Sequence, residues 1–105
     1  MTDKIMVIIT ASSAEESENI VKVLLNEKLI ACGNITYKVN SHYWWQGSKQ
    51  NESEYLIFCK SKASLLDKIV EQVKAIHSYD VPEIIAMPIV GGNEDYLNWI
   101  ESETV

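Results

Sequence analysis

The chain has 105 residues, a length that predicts one domain with a hydrophobic core of its own. Its 15 acidic residues against 9 lysines, with no arginine, give a formal net charge of −6. An acidic surface repels phosphate groups, and the side chain that most often clamps them is absent from the sequence, so the composition argues against nucleic-acid binding and against binding to anionic membranes.

The first predicted elements are a buried strand and an amphipathic helix. The continuous apolar run over residues 4–10 is typical of a central strand that is covered on both faces. Two overlapping Ser-x-x-Glu pairs, which begin at Ser12 and Ser13, indicate the start of a helix. The spacing of the apolar residues that follow predicts that this helix covers residues 14–28.

A strand that is too long for the domain is predicted over residues 34–46, where the odd positions form one dry face. At about 3.3 Å per residue this strand spans roughly 43 Å. A compact domain of this size is only roughly 34 Å across. The end that carries Tyr43, Trp44 and Trp45 should therefore project past the body, and these aromatic side chains are predicted to form a subunit interface. The alternative, which is compatible with an interface, is that they stack on a ligand.

The second half of the chain begins with a hairpin. A polar turn is predicted over residues 46–51, and the strand predicted over residues 52–60 is apolar on both faces, as expected inside a sheet. Apolar residues at helical spacing then predict a second helix that begins near Ser61 or Ser64 and ends at about Ile76.

An irregular connection over residues 77–83 leads to a last strand, predicted over residues 84–90, in which Pro88 indicates an edge position or a bulge. Asn93 is predicted to cap a third helix. The order β-α-β-β-α-β with a C-terminal helix predicts an α+β fold of the ferredoxin-like type over residues 1–105. Such a fold has an antiparallel sheet with helices on one face and its second and fourth strands at the edges.

The two cysteines, Cys32 and Cys59, lie in apolar runs and are predicted to be free, buried thiols. The sequence has no Cys-x-x-Cys motif, which argues against thioredoxin-like redox chemistry. The apolar run over residues 5–9 is too short for a signal peptide, and no segment is long enough to span a bilayer. A cytoplasmic location is therefore expected.

Four segments, in order along nearly the whole chain, resemble the CutA family of divalent-cation tolerance proteins. They are residues 28–35 (KLIACGNI), 41–47 (SHYWWQG), 77–85 (HSYDVPEII) and 92–99 (GNEDYLNW). The resemblance implies a ferredoxin-like fold, a homotrimer built by pairing of the long hairpins, and a loose similarity to trimeric PII signalling proteins. It also implies a cytoplasmic protein linked to copper and other divalent cations.

The chain departs from the family pattern at two places. Ser78 follows the histidine of the third segment, where the family often has a proline. Residues 7–10 contain no thiol, whereas some members carry a cysteine there that has been tied to metal. A metal role at that position is therefore not transferred to this chain.

One loop gathers donors for Cu²⁺ or Zn²⁺, namely His77, Tyr79, Asp80 and Glu83. Their spacing matches no closed metal motif. Two histidines and two cysteines do not supply a four-ligand site within one chain. Symmetry or water would therefore have to complete a metal site at a trimer cleft. A site made by His77 and Glu83, approached by Cys32, is one prediction. The alternative is a loop histidine that is hydrogen-bonded to a carboxylate, with Cys32 as a buried thiol.

Catalysis is not predicted. Acylphosphatase, which uses the same sandwich, needs an arginine to clamp the phosphoryl group. Gly91-Gly92 lacks the rest of a phosphate-binding loop, and no serine, cysteine or carboxylate pair has a recognisable nucleophile context. The sequence thus predicts a homotrimer that binds a divalent cation or a small ligand at subunit clefts. The alternative is a PII-like regulator that binds a small metabolite and a partner protein.

Overall fold

Strands and helices follow one another in the predicted order over residues 2–105, which are the residues that the computed structural model describes. The strands are β1 (Lys4–Ala11), β2 (Cys32–Trp45), β3 (Ser48–Lys62) and β4 (Ile84–Pro88). The helices are α1 (Ala14–Asn26), α2 (Leu66–Ile76) and α3 (Glu94–Glu103), and a 3-10 turn (Ala63–Leu65) precedes α2. The sheet is antiparallel with the order β2-β3-β1-β4, which confirms the ferredoxin-like α+β fold.

The core lies between one face of the sheet and helices α1 and α2. At odd positions of β1 and β3, the apolar side chains of Val7, Ile9 and Ile57 point to this face and are fully buried. Leu24 of α1 and Ile69 of α2 belong to the same cluster. Full burial of each such side chain stabilises the fold by about 1.5–3 kcal/mol. We call this side of the sheet the helix face and the opposite side the open face.

Helix α1 begins where the sequence predicts. Ser13 caps it, because its Oγ accepts a hydrogen bond from the Glu16 N–H at 3.1 Å. The Glu16 carboxylate reaches back to the Ser12 N–H at 3.0 Å, so the Ser12 pair predicted with Glu15 forms with Glu16 instead. The helix ends at Asn26, two residues before the predicted end, because Lys28 has a left-handed backbone with φ of 55°.

Two other boundaries differ from prediction. β3 continues to Lys62, so Ser61 lies in the strand and α2 starts later, after the 3-10 turn. β4 occupies an edge, as predicted, but ends at Pro88 rather than at residue 90. Proline has no N–H to donate to a neighbouring strand, which fits the last position of an edge strand. Within residues 2–105, none of the helices is long and apolar enough to cross a membrane.

The β2–β3 hairpin extends beyond the rest of the sheet. β1 pairs with β3 only from Tyr55 to Lys62, so residues 39–45 and 48–54 pair only with each other and form what we call the ribbon. The long axis of the domain is 44 Å, which agrees with the predicted overhang. The predicted polar turn over residues 46–51 is wrong in extent. The turn consists of Gln46 and Gly47, both with positive φ, as a two-residue hairpin turn requires.

A β-bulge in β2 reverses the faces of the long strand. The register passes from Tyr37 opposite Tyr55 to Val39 opposite Glu54, so Lys38 has no residue opposite it. Odd-numbered residues of β2 face the helices before the bulge and lie on the open side after it. The prediction of one continuous dry face at odd positions is therefore wrong, because one extra residue shifts a two-residue repeat by half its period.

Helix α3 packs on the open face, whereas α1 and α2 share the helix face as predicted. Lys4 and Lys62 are opposite each other at even positions of β1 and β3, so both point to the open face. The Glu101 carboxylate of α3 accepts a hydrogen bond at 2.8 Å from each of the two Nζ atoms. Ile100 beside it is fully buried but lies outside the main core cluster. A forked ion pair and one apolar anchor therefore hold α3 in place.

The Glu101 ion pairs predict a defined loss of stability at low pH. Hydrogen bonds from Lys4 and Lys62 lower the pKa of Glu101 from 4.5 to about 2. A carboxyl whose folded pKa is depressed contributes stability above its unfolded pKa and loses that contribution as the pH falls from about 4.5 to about 2. We expect Glu101→Gln to be less stable than the native protein at pH 7, and this difference should shrink across that range.

Urea unfolding at a series of pH values measures the effect of Glu101→Gln. The matched control is Glu71→Gln. Glu71 lies on the exposed surface of α2 and forms no ion pair among residues 2–105. A gap between Glu101→Gln and the native protein that stays constant with pH would contradict the ion-pair explanation.

Candidate functional site

A groove of about 770 Å³ runs beside the open side of the ribbon. The ribbon forms one wall, and the connection between α2 and β4 forms the other. The groove is acidic, because the carboxylates that line it are Glu52, Glu54, Asp80 and Glu83. Its aromatic lining consists of Tyr43, Trp44, Trp45 and Tyr79. The arrangement suits a positively charged or partly apolar ligand better than an anion.

Two tyrosine–carboxylate pairs organise the groove. The Tyr79 hydroxyl donates to Glu54 Oε2 at 2.8 Å, and the Tyr43 hydroxyl donates to Glu52 Oε1 at 2.9 Å. Burial, followed by the bond to Glu54, raises the pKa of Tyr79 well above its ordinary value. The bond to Glu52 raises the pKa of Tyr43. Both phenols therefore remain donors near neutral pH and fix the direction of their carboxylates.

His77 fastens the loop that carries Tyr79. Its ring is fully buried, and Nε2 lies 2.7 Å from the Thr10 carbonyl oxygen, to which it donates. Nδ1 accepts a hydrogen bond from the Tyr79 N–H at 3.1 Å. The two bonds together require the ring proton on Nε2. The histidine thus sets the position of Tyr79, and through it the position of Glu54.

Glu16 joins the start of α1 to the same loop. Its Oε2 accepts from the Ser78 N–H at 2.8 Å, while its Oε1 accepts from the Ser12 N–H. Burial alone would raise the pKa of Glu16, but the hydrogen bonds from Ser12 and Ser78 outweigh it and lower the pKa. A helix-cap residue therefore also fixes one wall of the groove.

The open face next to the groove is apolar and only partly covered. Large apolar side chains at even positions of β1 and β3 are half-buried. Opposite those of β1, at odd positions of β4, Ile85 and Met87 are exposed by 51% and 40%. The half-buried ones are Met6, Ile8, Leu56 and Phe58. This surface was not predicted from the sequence, although the apolar residues at both odd and even positions of β1 and β3 were its signal.

The CutA1 family model, described as "CutA1 divalent ion tolerance protein", matches residues 5–103. The chain belongs to the CutA family. This confirms the resemblance that the four sequence segments carry.

Curated CutA proteins are similar to the chain over nearly its whole length. "Protein CutA 1, chloroplastic" of Oryza sativa subsp. japonica is 45% identical over 100 residues, which cover 95% of this chain and 56% of that protein. "Divalent-cation tolerance protein CutA" of Thermus thermophilus is 42% identical over 99 residues, or 94% of this chain and 96% of that protein. The chain thus spans little more than half of the plant relative and nearly all of the bacterial one.

Solved CutA structures share the fold closely. The divalent cation tolerance protein of Thermus thermophilus matches with a TM-score of 0.95 and 41% identity, covering 97% of this chain and 99% of that chain. The crystal structure of CutA1 from Oryza sativa matches with a TM-score of 0.94 and 44% identity, covering 97% and 94%. The CutA fold therefore extends over essentially all of the described chain.

The structure does not bring the predicted metal ligands of this CutA protein together. Glu83 is exposed at the groove, whereas both ring nitrogens of His77 already have protein partners. Cys32 lies opposite Lys60 of β3. Lys60 is four residues along β3 from the residue that pairs with Thr10, which is the partner of the His77 ring. Cys32 and Thr10 are therefore about 13 Å apart along the strands. Within residues 2–105, no three side chains of His, Cys, Asp or Glu are placed to hold a metal ion. A site at His77, Glu83 and Cys32 stays a prediction.

The two cysteines differ in their surroundings. Cys59 is fully buried and free, as predicted, and burial raises its pKa to about 12, which makes it unreactive. Cys32 is also free but only half-buried. It points to the open face, where its thiol lies 3.6 Å from Asn34 Oδ1. The prediction that both thiols are buried is therefore correct only for Cys59.

The three aromatic side chains predicted as an interface lie near the tip of the ribbon. Trp44 is 68% exposed, and Lys49 from the neighbouring strand lies 5.7 Å above its ring. Tyr43 and Trp45 are exposed by 39% and 41% and, after the bulge, lie on the open side. The overhang and its exposed aromatic surface are confirmed, and the subunit interface stays a prediction.

Proposed function

We propose that this CutA family member is a non-enzymatic homotrimer that takes part in divalent-cation tolerance, copper included, and binds a divalent cation or a small ligand in the groove at subunit clefts. The observation that carries the proposal is apolar surface on the open face that is only partly covered, together with the exposed aromatic side chains near the tip of the ribbon. The name of the Thermus thermophilus relative supplies the link to divalent cations. A cytoplasmic location is part of the same proposal.

Self-association follows from the apolar surface that the chain leaves exposed. Monomeric soluble proteins rarely expose a large contiguous apolar patch, and burial of apolar area contributes about 25 cal/mol per Å². Within residues 2–105, the edge strands β2 and β4 each pair with another strand on one side only. If open faces pack against one another and the ribbons reach across to neighbouring subunits, the apolar patch is buried and the strand edges are covered.

The groove supports a ligand-binding role. Four carboxylates line it, and its wall residues come from the ribbon and from the loop after α2. When ribbons pack against neighbouring subunits, this groove lies at the subunit boundary. Two ligand classes are compatible with the groove. Carboxylate oxygens favour a cation, and the volume of about 770 Å³ is that of a small-molecule pocket.

The size of the groove also favours the second candidate, a PII-like regulator that responds to a small metabolite and acts on a partner protein. Its acidic lining, however, repels phosphate groups, so a nucleotide is disfavoured as that metabolite. A regulator of this kind would bind its metabolite without a requirement for metal, which separates it from the first candidate.

Calorimetric titration with CuCl2, ZnCl2 and ATP tests the ligand class. We expect binding of a divalent cation, weakened by Asp80→Asn in the groove and unchanged by the matched control Glu71→Gln on α2. Unchanged cation binding in His77→Ala would remove His77 from the site. Binding of ATP without binding of either cation would favour the PII-like regulator over the cation-binding role.

A further inference from the structure

Lys60 is the lysine on the open face of β1 and β3 that has no acidic partner within residues 2–105. The other two, Lys4 and Lys62, are paired with the Glu101 carboxylate. Lys60 is half-buried, and its Nζ donates a hydrogen bond to the side-chain oxygen of Asn34. It forms no ion pair with any described residue. A half-buried ammonium group that is bonded to a neutral amide gains a charge-assisted hydrogen bond when a carboxylate approaches it.

Lys60 belongs to a surface near the start of β2 that also carries exposed aromatic rings. We call this surface the base patch; it consists of Cys32, Asn34, Lys60, Tyr96 and Trp99. Cys32 lies opposite Lys60, and its thiol is a hydrogen-bond neighbour of the Tyr96 hydroxyl. The ring centres of Tyr96 and Trp99 are 5.4 Å apart, and the two side chains are exposed by 40% and 39%. Aromatic side chains are enriched in the buried centre of protein interfaces, so the base patch has the composition of a contact surface.

The complementary charge lies on the ribbon. Glu52 is at an even position of β3, on the open side, and is exposed. Its Oε1 accepts a hydrogen bond from the Tyr43 hydroxyl, and it forms no ion pair within residues 2–105. Glu54, in contrast, is buried and bonded to Tyr79. Glu52 is therefore the ribbon carboxylate that a second chain can reach.

A single chain cannot bring these two charges together. Glu52 and Lys60 are eight residues apart along β3, a separation of about 26 Å, which is far more than their two side chains span. Both lie on the same side of the sheet, at opposite ends of the strand. Contact between the ribbon end of one subunit and the base patch of the next pairs them. Head-to-tail contacts of this kind close into rings, of which a trimer is one.

We propose that the subunits associate head to tail, with the open side of one ribbon on the base patch of the next subunit and an ion pair between Glu52 and Lys60 of different subunits. This inference rests on the proposed function, since it specifies how the homotrimer is assembled. Tyr43 and Trp45, on the same side of the ribbon as Glu52, then lie against the aromatic side chains of the base patch. The hydrogen bond from Tyr43 holds Glu52 in place for the contact.

Charge reversal at the two positions tests the proposal on the full chain. Size-exclusion chromatography with light scattering, over a range of protein concentrations, gives the concentration below which the native mass is lost. Lys60→Glu and Glu52→Lys should each raise this concentration about tenfold or more, because each places like charges against one another. The double variant restores opposite charges and should return the concentration to within about threefold of the native value.

The controls make the same charge changes on the helix side of the sheet. Lys22→Glu on the exposed surface of α1 and Glu71→Lys on that of α2 should both keep the native mass. Circular dichroism shows whether each variant folds. Glu52 lies in the ribbon, outside the main core cluster, so Glu52→Lys carries the test if Lys60→Glu fails to fold.

Retention of the native mass by either single variant would overturn the head-to-tail contact. A folded double variant that dissociates as readily as the single variants would overturn it as well. If the native protein is a trimer and gives either result, the homotrimer stands and only this arrangement of its subunits is rejected. A native protein with the mass of one chain would reject both.

Discussion

Replacement of Trp45 by aspartate should convert the protein into monomers or aggregates. Trp45 lies near the tip of the ribbon, on the open side, and is 41% exposed although it is a large aromatic residue. In the proposed homotrimer this side chain is buried against a neighbouring subunit, where loss of a tryptophan that acts as a hot spot costs about 2 kcal/mol or more. Aspartate adds a charge that would have to be desolvated in the interface, which increases the cost further.

The control for Trp45→Asp is Asn19→Asp, which adds the same charge on the exposed side of α1. Size-exclusion chromatography with light scattering, at equal protein concentration, should show the native mass for Asn19→Asp and its loss for Trp45→Asp. A well-folded trimer of Trp45→Asp would place Trp45 outside the interface.

Replacement of Gly33 by valine should destabilise the fold by about 3 kcal/mol, the upper part of the range for overpacked cores. Gly33 lies on the helix face of β2, opposite Cys59. A Cβ atom there would lie 2.9 Å and 3.0 Å from the two Cγ atoms of Val21 and 3.4 Å from Ile30 Cδ1. Val21 is β-branched and restricted at χ1, so it has little freedom to move away.

Gly92→Val is the matched control for Gly33→Val. A Cβ atom at Gly92 meets nothing within 4 Å, and its backbone is outside the left-handed region. Urea unfolding at one fixed protein concentration should show a large decrease in the midpoint for Gly33→Val and a small change for Gly92→Val. Equal midpoints for the two variants would show that α1 does not approach β2 as closely as the structure places it.

The element order and sheet topology could be predicted from local patterns. The signals that act over a few residues can be recognised in the sequence. They are the apolar run of β1, the Ser13 cap of α1 and Pro88 near the end of an edge strand. Contacts between residues that are far apart along the chain could not be predicted from the sequence. The small size of Gly33 is explained by Val21 and Ile30, and the position of α3 by the ion pairs of Glu101.

The bulge at Lys38 limited what could be predicted of the site. The alternation of residues remains visible before and after the bulge, but the two faces of the strand are exchanged there. The sequence therefore could not show that Tyr43 and Trp45 lie on the same side of the ribbon as Glu54. The loop residues Tyr79, Asp80 and Glu83, which the sequence offers as metal donors, line the groove, and a metal-binding role for them stays a prediction. Burial of the His77 ring depends on a carbonyl of β1, a contact between segments far apart in sequence.

The mass of the native protein in dilute buffer, measured by light scattering, tests the central claim most directly. A surface that combines an apolar sheet face with a projecting aromatic ribbon predicts about 36 kDa, three times the 11.9 kDa of one chain. A stable, well-folded species of about 12 kDa would contradict it, because the open face and the ribbon would then be stable without a partner.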